Sequence, residues 1–160
     1  MVKYHLNKKE REISDKKELL DILERGKYAA IAMCRGNEPY VATLNYGFDR
    51  GKNALYFHTT QRGLKIEFIR ENPLVCATVV EDRGYKMGKC SHAYRSVVFW
   101  GKMSAVDDIT EKKHGLDVLL HHLEENPDEV KERLLKDETR YRDVTILRLD
   151  IFDITGKKAK

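Results

Sequence analysis

Apolar residues with a high preference for strands occur in short runs along this chain, and turn-forming residues separate the runs. The turns at 35–39 and 49–53 each contain glycine, which is typical of hairpins between antiparallel strands. The pattern predicts six strands, over residues 28–34, 40–48, 54–58, 74–80, 92–106 and 144–154.

Helical periodicity covers the rest of the patterned sequence. Leucine and isoleucine at 19, 20, 22 and 23 predict a helical lead-in over about 14–26, which Ser14 or Asp15 caps and Gly26 ends. A short helix follows the third strand and stops before Pro73. An apolar face at 116, 119, 120 and 123 predicts a helical insertion over about 109–138, which Pro127 interrupts.

The length and the strand content together indicate the fold class. A chain of 160 residues corresponds to one domain, here taken as 1–160. Six strands with mostly hairpin connections predict an α+β, mainly β architecture, an antiparallel barrel with flanking helices. Closing the sheet would remove exposed strand edges.

The fifth predicted strand has two apolar faces. Alternation places Tyr94, Ser96, Val98 and Trp100 on one face, and Arg95, Val97 and Phe99 on the other. One face would fill the core and the other would contact a second subunit; the alternative is a strand that is buried on both sides within a monomer.

Charge and composition exclude several classes of protein. The net charge of +4 is spread over the chain rather than clustered with aromatic residues, which argues against nucleic-acid binding. No apolar run approaches the ~20 residues of a membrane span, and the first twelve residues lack the apolar core of a signal peptide, so we expect no membrane partner and a cytoplasmic location. Three cysteines without a C-x-x-C spacing do not indicate a disulfide framework.

The segment 54–73 carries the strongest chemical signal. A strand ends at His58, and Thr59, Thr60, Gly63 and Lys65 lead into the next helix. Free N–H groups and the helix dipole at such a junction favour an anion such as phosphate. The alternative is that Thr60 merely caps the helix and that Arg62 and Lys65 are solvated residues of its first turn.

The ordered set of short motifs resembles the FMN-binding split-barrel superfamily. Within it, the chain resembles the pyridoxamine-phosphate-oxidase-related proteins of the nitroimidazole-resistance type. The resemblance extends from about residue 28 to the C-terminus. It rests on Cys90 and on the segments PYV at 39–41, LNYG at 44–47, LYFHT at 55–59, GLK at 63–65, IRENPLVC at 69–76, YRSVV at 94–98, GK at 101–102 and ITGK at 154–157.

The resemblance implies a homodimer with FMN at the subunit interface; FAD is not distinguished from FMN by the sequence. The phosphate would lie at 57–65, the ring along 41–46, and the strand face at 94–96, or its copy from the second subunit, would complete the pocket. Arg95 would either tune the flavin or form an interface ion pair. The cofactor-binding residues implied are Val41, Leu44, Asn45, Tyr46, Phe57, His58, Thr59, Thr60, Gly63, Lys65, Tyr94, Arg95 and Ser96.

The implied activity is flavin-dependent reduction of a small acceptor, a nitro compound or a quinone, with a reduced nicotinamide donor. His58 is the candidate catalytic residue, because histidine exchanges a proton near neutral pH, although it could instead bond the phosphate or the backbone. The alternative function is a non-enzymatic flavin- or haem-binding protein. We predict no metal site: His114, Asp117, His121 and Glu125 share one helical side, but a solvated polar face explains them.

Overall fold

The structure is a computed structural model, and it describes residues 7–160. The fold is mainly β: the chain forms one sheet of antiparallel strands, and helices pack against it. After a short 3-10 helix at Lys9–Arg11, the elements are α1 Lys16–Arg25, β1 Tyr28–Arg35, β2 Glu38–Asn45, β3 Gly47–Asp49, β4 Ala54–Thr59, α2 Leu64–Glu71, β5 Leu74–Lys86, β6 Ser91–Ala105, α3 Ile109–Leu123, α4 Pro127–Leu134, α5 Glu138–Asp143 and β7 Thr145–Ala159.

The described part of the sheet has seven strands rather than the six predicted, because the run 40–48 divides at Tyr46. The Tyr46 side chain turns into the core, where its hydroxyl donates to the carbonyl of Leu23 at 2.7 Å. The next residue, Gly47, lies so close to α3 that an added Cβ would be 2.7 Å from the Leu119 backbone. One continuous alternating run therefore becomes two strands.

The strand order is β2-β1-β5-β6-β7-β4-β3, so hydrogen bonding does not close the sheet into a barrel. The two edge strands, β2 and β3, are nevertheless separated by a single residue in the chain. The sheet must curl to bring its edges that close, which is the arrangement of a split barrel.

Two other boundaries differ from the sequence-based expectation. The segment 81–91 was expected as a polar loop, but β5 and β6 continue into it as a hairpin with a bulge between Asp82 and Tyr85. The last strand extends beyond residue 154 to Ala159, because β6 offers pairing as far as Tyr94. The helical insertion also contains α5, which the sequence did not indicate.

Two apolar clusters hold the fold together. The main core lies inside the curled sheet, beneath α1 and α2, and includes Phe57, Phe99 and Leu147. A second cluster lies between α3 and the outer surface of the sheet, where Tyr56 and Ile146 pack against Leu116 and Leu119.

Helix α1 confirms its sequence prediction closely. Asp15, rather than Ser14, provides the cap by accepting from the Lys17 N–H at 2.9 Å. The buried face consists of Leu19, Leu20, Ile22 and Leu23, and Gly26 follows the last turn. Among residues 7–160, no helix is both long and apolar enough to cross a membrane.

Candidate functional site

The loop between β4 and α2 is the predicted anion site, and its backbone is open at the start of the helix. Gly63 occupies the N-cap position with φ 132°, and no side chain caps the helix there. Thr60 donates its hydroxyl to the carbonyl of Arg62 at 2.7 Å, so the alternative that Thr60 caps α2 is wrong. The N–H of Ile66 donates to the carbonyl of Gly63 at 3.0 Å, which leaves the N–H groups of Leu64 and Lys65 available to an acceptor from outside the chain.

Positive charge collects around this loop. Arg62, Arg70 and Lys112 line a cavity of about 540 Å³ at the end of β6, together with the acidic Glu67 and Asp107. Within residues 7–160, Arg62 and Arg70 form no ion pair within 4 Å, and neither does the half-buried Lys65. Lys65 itself does not line this cavity. Cations without a carboxylate partner favour binding of an anion at this end of the barrel.

Sequence analysis did not assign Arg70 to the site. The available signal was spacing on α2, since residues 63, 66, 67 and 70 recur at intervals of three and four and share one face of the helix.

Strand β2 contributes a free edge beside the split. It pairs with β1 on one side, and no described strand pairs with its other side. Val41 is 59% exposed, and Leu44 is half-buried against the core. Asn45 donates from its amide nitrogen to the carbonyl of Lys27 at 3.0 Å, which fixes the bend before Tyr46.

Two of the predicted ligand-binding residues lie in the core. The side chains of Phe57 and Tyr46 are fully buried, so neither can place its ring against a bound cofactor without rearrangement. Burial also raises the pKa of the Tyr46 hydroxyl, which stays protonated and donates to the chain itself. Only the backbone of these two residues is positioned to contact a ligand.

His58 and Thr59 end β4 on opposite faces. Thr59 pairs with Thr145 and is half-buried at the barrel end. His58 is exposed on the face that packs against α3, where it lines a separate apolar cavity. The structure therefore brings Thr59, Thr60, Gly63 and Lys65 onto one loop and directs His58 to the other side of the strand.

Arg95 is held by the chain itself. The residue is only 7% exposed. Its guanidinium group donates hydrogen bonds to Glu81 and, at 2.8 Å, to Asp21 of α1, and it lies 3.7 Å from the carboxylate of Glu18. Hydrogen bonds from Arg25 and from Arg95 lower the pKa of Asp21. In the described chain Arg95 joins α1 to the sheet and is remote from the β4–α2 loop, since β7 separates β6 from β4.

Tyr94 and Ser96 lie on the other face of β6, and both are half-buried. The alternation predicted for this strand is confirmed: Arg95, Val97 and Phe99 are buried, whereas Ser96 and Val98 are only partly covered. The alternative of a strand buried on both sides within the monomer is therefore wrong.

The partly covered face of β6 belongs to a wider apolar surface. Leu74 and Val80 of β5 are each 56% exposed, and Phe152 of β7 is 51% exposed. A shallow cavity of about 380 Å³ on this surface is lined by Ala32, Met33, Cys34, Pro39, Leu74, Val75, Cys76, Trp100 and Phe152. An exposed apolar patch of this kind on one face of a sheet is typical of a contact surface.

The polar side of α3 packs partly against the sheet. The Nε2 atom of His114 lies 2.6 Å from a carboxylate oxygen of Asp49, and Glu111 bonds to Tyr56, Lys52 and Arg148. Glu125 lies beyond the end of α3, so it does not continue the helical side that carries His114, Asp117 and His121. Residues 7–160 contain no group of three or more metal-ligating side chains.

Comparison with known proteins identifies relatives of this chain. A family model described as pyridoxamine 5'-phosphate oxidase matches residues 15–158. A solved structure of a candidate 5-nitroimidazole antibiotic resistance protein from Bacteroides thetaiotaomicron is 25% identical, covers 91% of this chain and 85% of its own, and has a TM-score of 0.73. Among curated proteins, none matches the chain.

Two further structures share the fold. An FAD-binding protein from Mesorhizobium loti is 23% identical and covers 94% of this chain and 98% of its own, with a TM-score of 0.67. The FAD and heme binding protein from Mycobacterium smegmatis is 17% identical and covers 94% of this chain and 74% of its own, with a TM-score of 0.76.

Proposed function

We propose that this chain, which belongs to the pyridoxamine 5'-phosphate oxidase family, binds a flavin, FMN in the first instance, and serves as a flavin-dependent oxidoreductase. The observation that carries the proposal is the β4–α2 loop, which has an uncapped helix start beside cations without carboxylate partners. Relatives of the same fold that are described as FAD-binding support a flavin as the ligand.

The residues of the loop fit the phosphate of a flavin. Thr59 supplies a hydroxyl group, Gly63 leaves the approach to the helix start free of a side chain, and Lys65 supplies charge. Thr60 would donate to the phosphate after its hydroxyl leaves the carbonyl of Arg62. Apart from Gly63 itself and its two neighbours in the chain, no heavy atom lies within 4 Å of the position where a Gly63 Cβ would be, so the approach is open. Charge-assisted bonds to a phosphate are stronger than neutral ones and fix its position.

The free edge of β2 fits the ring. The unpaired backbone groups of this edge present amide donors and carbonyl acceptors along one line. The side chains of Val41 and Leu44 add apolar surface, and Asn45 adds an amide. The polar edge of an isoalloxazine ring needs such donors, and its benzenoid part needs apolar contact. When bound, a flavin supplies hydride and single-electron transfer, while the protein holds and orients it.

We propose a homodimer with the cofactor at the subunit interface. The apolar outer face of β5, β6 and β7 provides the contact surface, and Tyr94 and Ser96 lie on it. Because β7 separates these two residues from β4 within one chain, they reach the ring only if a second subunit presents them.

The acceptor proposed is a small nitro compound or quinone, and the donor a reduced nicotinamide. His58, the candidate proton donor, is exposed on the face of β4 that packs against α3, so it could donate only to an acceptor bound on that side and not at the β4–α2 loop. A second candidate function is a non-enzymatic flavin- or haem-binding protein; the relative from Mycobacterium smegmatis that is described as binding FAD and heme favours it.

A titration with FMN tests the proposal. The wild-type protein should bind FMN with a saturable shift of the flavin absorption bands. Lys65→Ala should raise the Kd for FMN about tenfold, because it removes one charged contact worth roughly 1.4 kcal/mol. Lys89→Ala, at the exposed tip of the β5–β6 hairpin, is the matched control and should leave the Kd unchanged.

Three outcomes separate the parts of the proposal. An equal Kd for Lys65→Ala and wild type would refute the phosphate assignment. A Soret band in place of flavin bands, or bound flavin without turnover of any reduced donor, would favour the binding protein over the enzyme. Light scattering should give twice the chain mass for wild type and a lower mass for Leu74→Arg; a monomeric wild type would refute the dimer.

A further inference from the structure

We propose that the helices after β6 form a second binding site, for a small, neutral, apolar molecule with one hydrogen-bond acceptor. The site lies between α3, α4, α5 and the end of β4, outside the curled sheet. The proposal does not rest on flavin binding.

The helices and the end of β4 line a half-open cavity of about 390 Å³. Aliphatic side chains form most of its wall, and four ionisable groups lie at its edge. The lining residues are Leu116, Leu119, Leu120, Leu123, Val130, Leu134, Leu135 and Val144, with His58, Glu124, Arg140 and Asp143. A mainly apolar wall with few polar groups is typical of small-molecule sites, whose volumes run from about 300 to 1,000 Å³.

The volume decides between a small molecule and a peptide. Two turns of a partner helix occupy on the order of 1,000 Å³, given a diameter of about 10–12 Å. That is more than twice the cavity. A cavity of this size with a mainly apolar wall suits a small apolar molecule.

The charged residues that line the cavity favour a neutral ligand. The cavity is lined by one cation, Arg140, and by two carboxylates, Glu124 and Asp143. None of the three has an ion-pair partner within 4 Å among residues 7–160. A cationic ligand would meet Arg140, and an anionic one would meet the two carboxylates. An ionised group would also lose its hydration against the leucine wall, which is costly. His58 and Arg140 can donate hydrogen bonds, so one acceptor such as a ketone or quinone oxygen is accommodated.

The position of the cavity separates it from the β4–α2 loop. His58 pairs with Ile146, and both lie on the face of β4 and β7 that packs against α3. Phe57 and Leu147 face the opposite way, into the main core. Leu134 is 58% exposed at the cavity wall, and a bound apolar molecule would cover it.

A fluorescence titration with 6-propionyl-2-(dimethylamino)naphthalene tests the site. This neutral naphthalene ketone emits at shorter wavelength in apolar surroundings. We expect a saturable blue shift with one site per chain, in flavin-free and flavin-loaded protein alike. Leu120→Trp fills the cavity and should weaken binding at least tenfold, whereas Tyr85→Trp, on the exposed hairpin, should bind as wild type does.

A second variant covers the case in which Leu120→Trp does not fold. Leu134→Lys changes an exposed side chain, so folding is preserved, and the new charge should weaken binding at least threefold. Unchanged affinity in the folded variants would overturn the site. Tighter binding of the anionic 8-anilinonaphthalene-1-sulfonate, lost in the same variants, would overturn the neutral ligand.

Discussion

Replacing Glu111 by glutamine tests whether the charged cluster under α3 stabilises the fold. The carboxylate of Glu111 accepts from the Tyr56 hydroxyl, from Lys52 Nζ at 2.7 Å and from Arg148 Nη1 at 2.9 Å. Burial by itself would raise the pKa of Glu111, but the bonds from Lys52 and Tyr56 and the charges of Lys52 and Arg148 outweigh it. The pKa therefore falls from 4.5 to about 2.

The size of that fall sets the expected effect. At 1.36 kcal/mol per pH unit, a pKa lowered from 4.5 to about 2 corresponds to ~3.4 kcal/mol of stabilisation at neutral pH. The side chains of Glu111 and Lys52 keep 22% and 38% of their exposure, so solvent screens the interaction. We expect Glu111→Gln to lower the free energy of unfolding by about 2 kcal/mol at pH 7.

The sign of the pH dependence follows from the direction of the shift. Because the folded-state pKa lies below the unfolded one, the stabilisation is complete above the unfolded pKa of about 4.5 and is lost as the pH falls towards 2. Wild type should lose stability through that range, and Glu111→Gln should lose less.

Urea unfolding followed by far-UV circular dichroism at pH 7, 5 and 3 measures both effects. Glu138→Gln is the matched control, since Glu138 pairs with Lys113 at 3.5 Å on an exposed surface and should change the free energy of unfolding by less than about 0.5 kcal/mol. The reasoning is refuted if Glu111→Gln matches this control at pH 7, or if it loses as much stability between pH 5 and 3 as wild type.

Two further substitutions test the packing of the fold. Gly47→Ala should lower the free energy of unfolding by about 2 kcal/mol, because the new Cβ would lie 2.7 Å from the backbone of Leu119. Gly51→Ala is the control, since the nearest atom there is 3.4 Å away, and it should be close to neutral when both variants are compared by thermal melting. Arg95→Gln should cost about 1–2 kcal/mol in urea unfolding, because it removes a buried cation from Glu81 and Asp21, which keep only Arg83 and Arg25 as partners, yet it should leave the Kd for FMN unchanged; a large loss of FMN affinity in folded protein would return Arg95 to the flavin site.

Much of the fold was predictable because its signals are local. Asp15 and Gly26 end α1, Pro73 ends α2, and the alternation in β6 separates the buried Val97 from the half-covered Val98, as expected. Each of these features depends on residues within one turn or one strand. The ordered motifs also predicted the family, which the match over residues 15–158 confirms.

The sequence predicted which segment forms the candidate site, but not how its side chains are arranged around it. The strand-to-helix junction with Thr59, Gly63 and Lys65 is visible in the sequence, and the structure leaves its helix start open. The role of Arg70 was missed, because which side of a short helix faces a cavity depends on what that helix packs against.

The sequence by itself determined the antiparallel mainly β class, the ends of α1 and α2, and the position of the candidate anion-binding loop, because capping, turn and alternation preferences act between neighbouring residues. Only the tertiary structure decided that Tyr46 divides one apparent strand, that Arg95 bonds to α1, and that His58 faces an apolar cavity. Each of these depends on a contact with an element far away in the chain, and no local preference specifies such a contact.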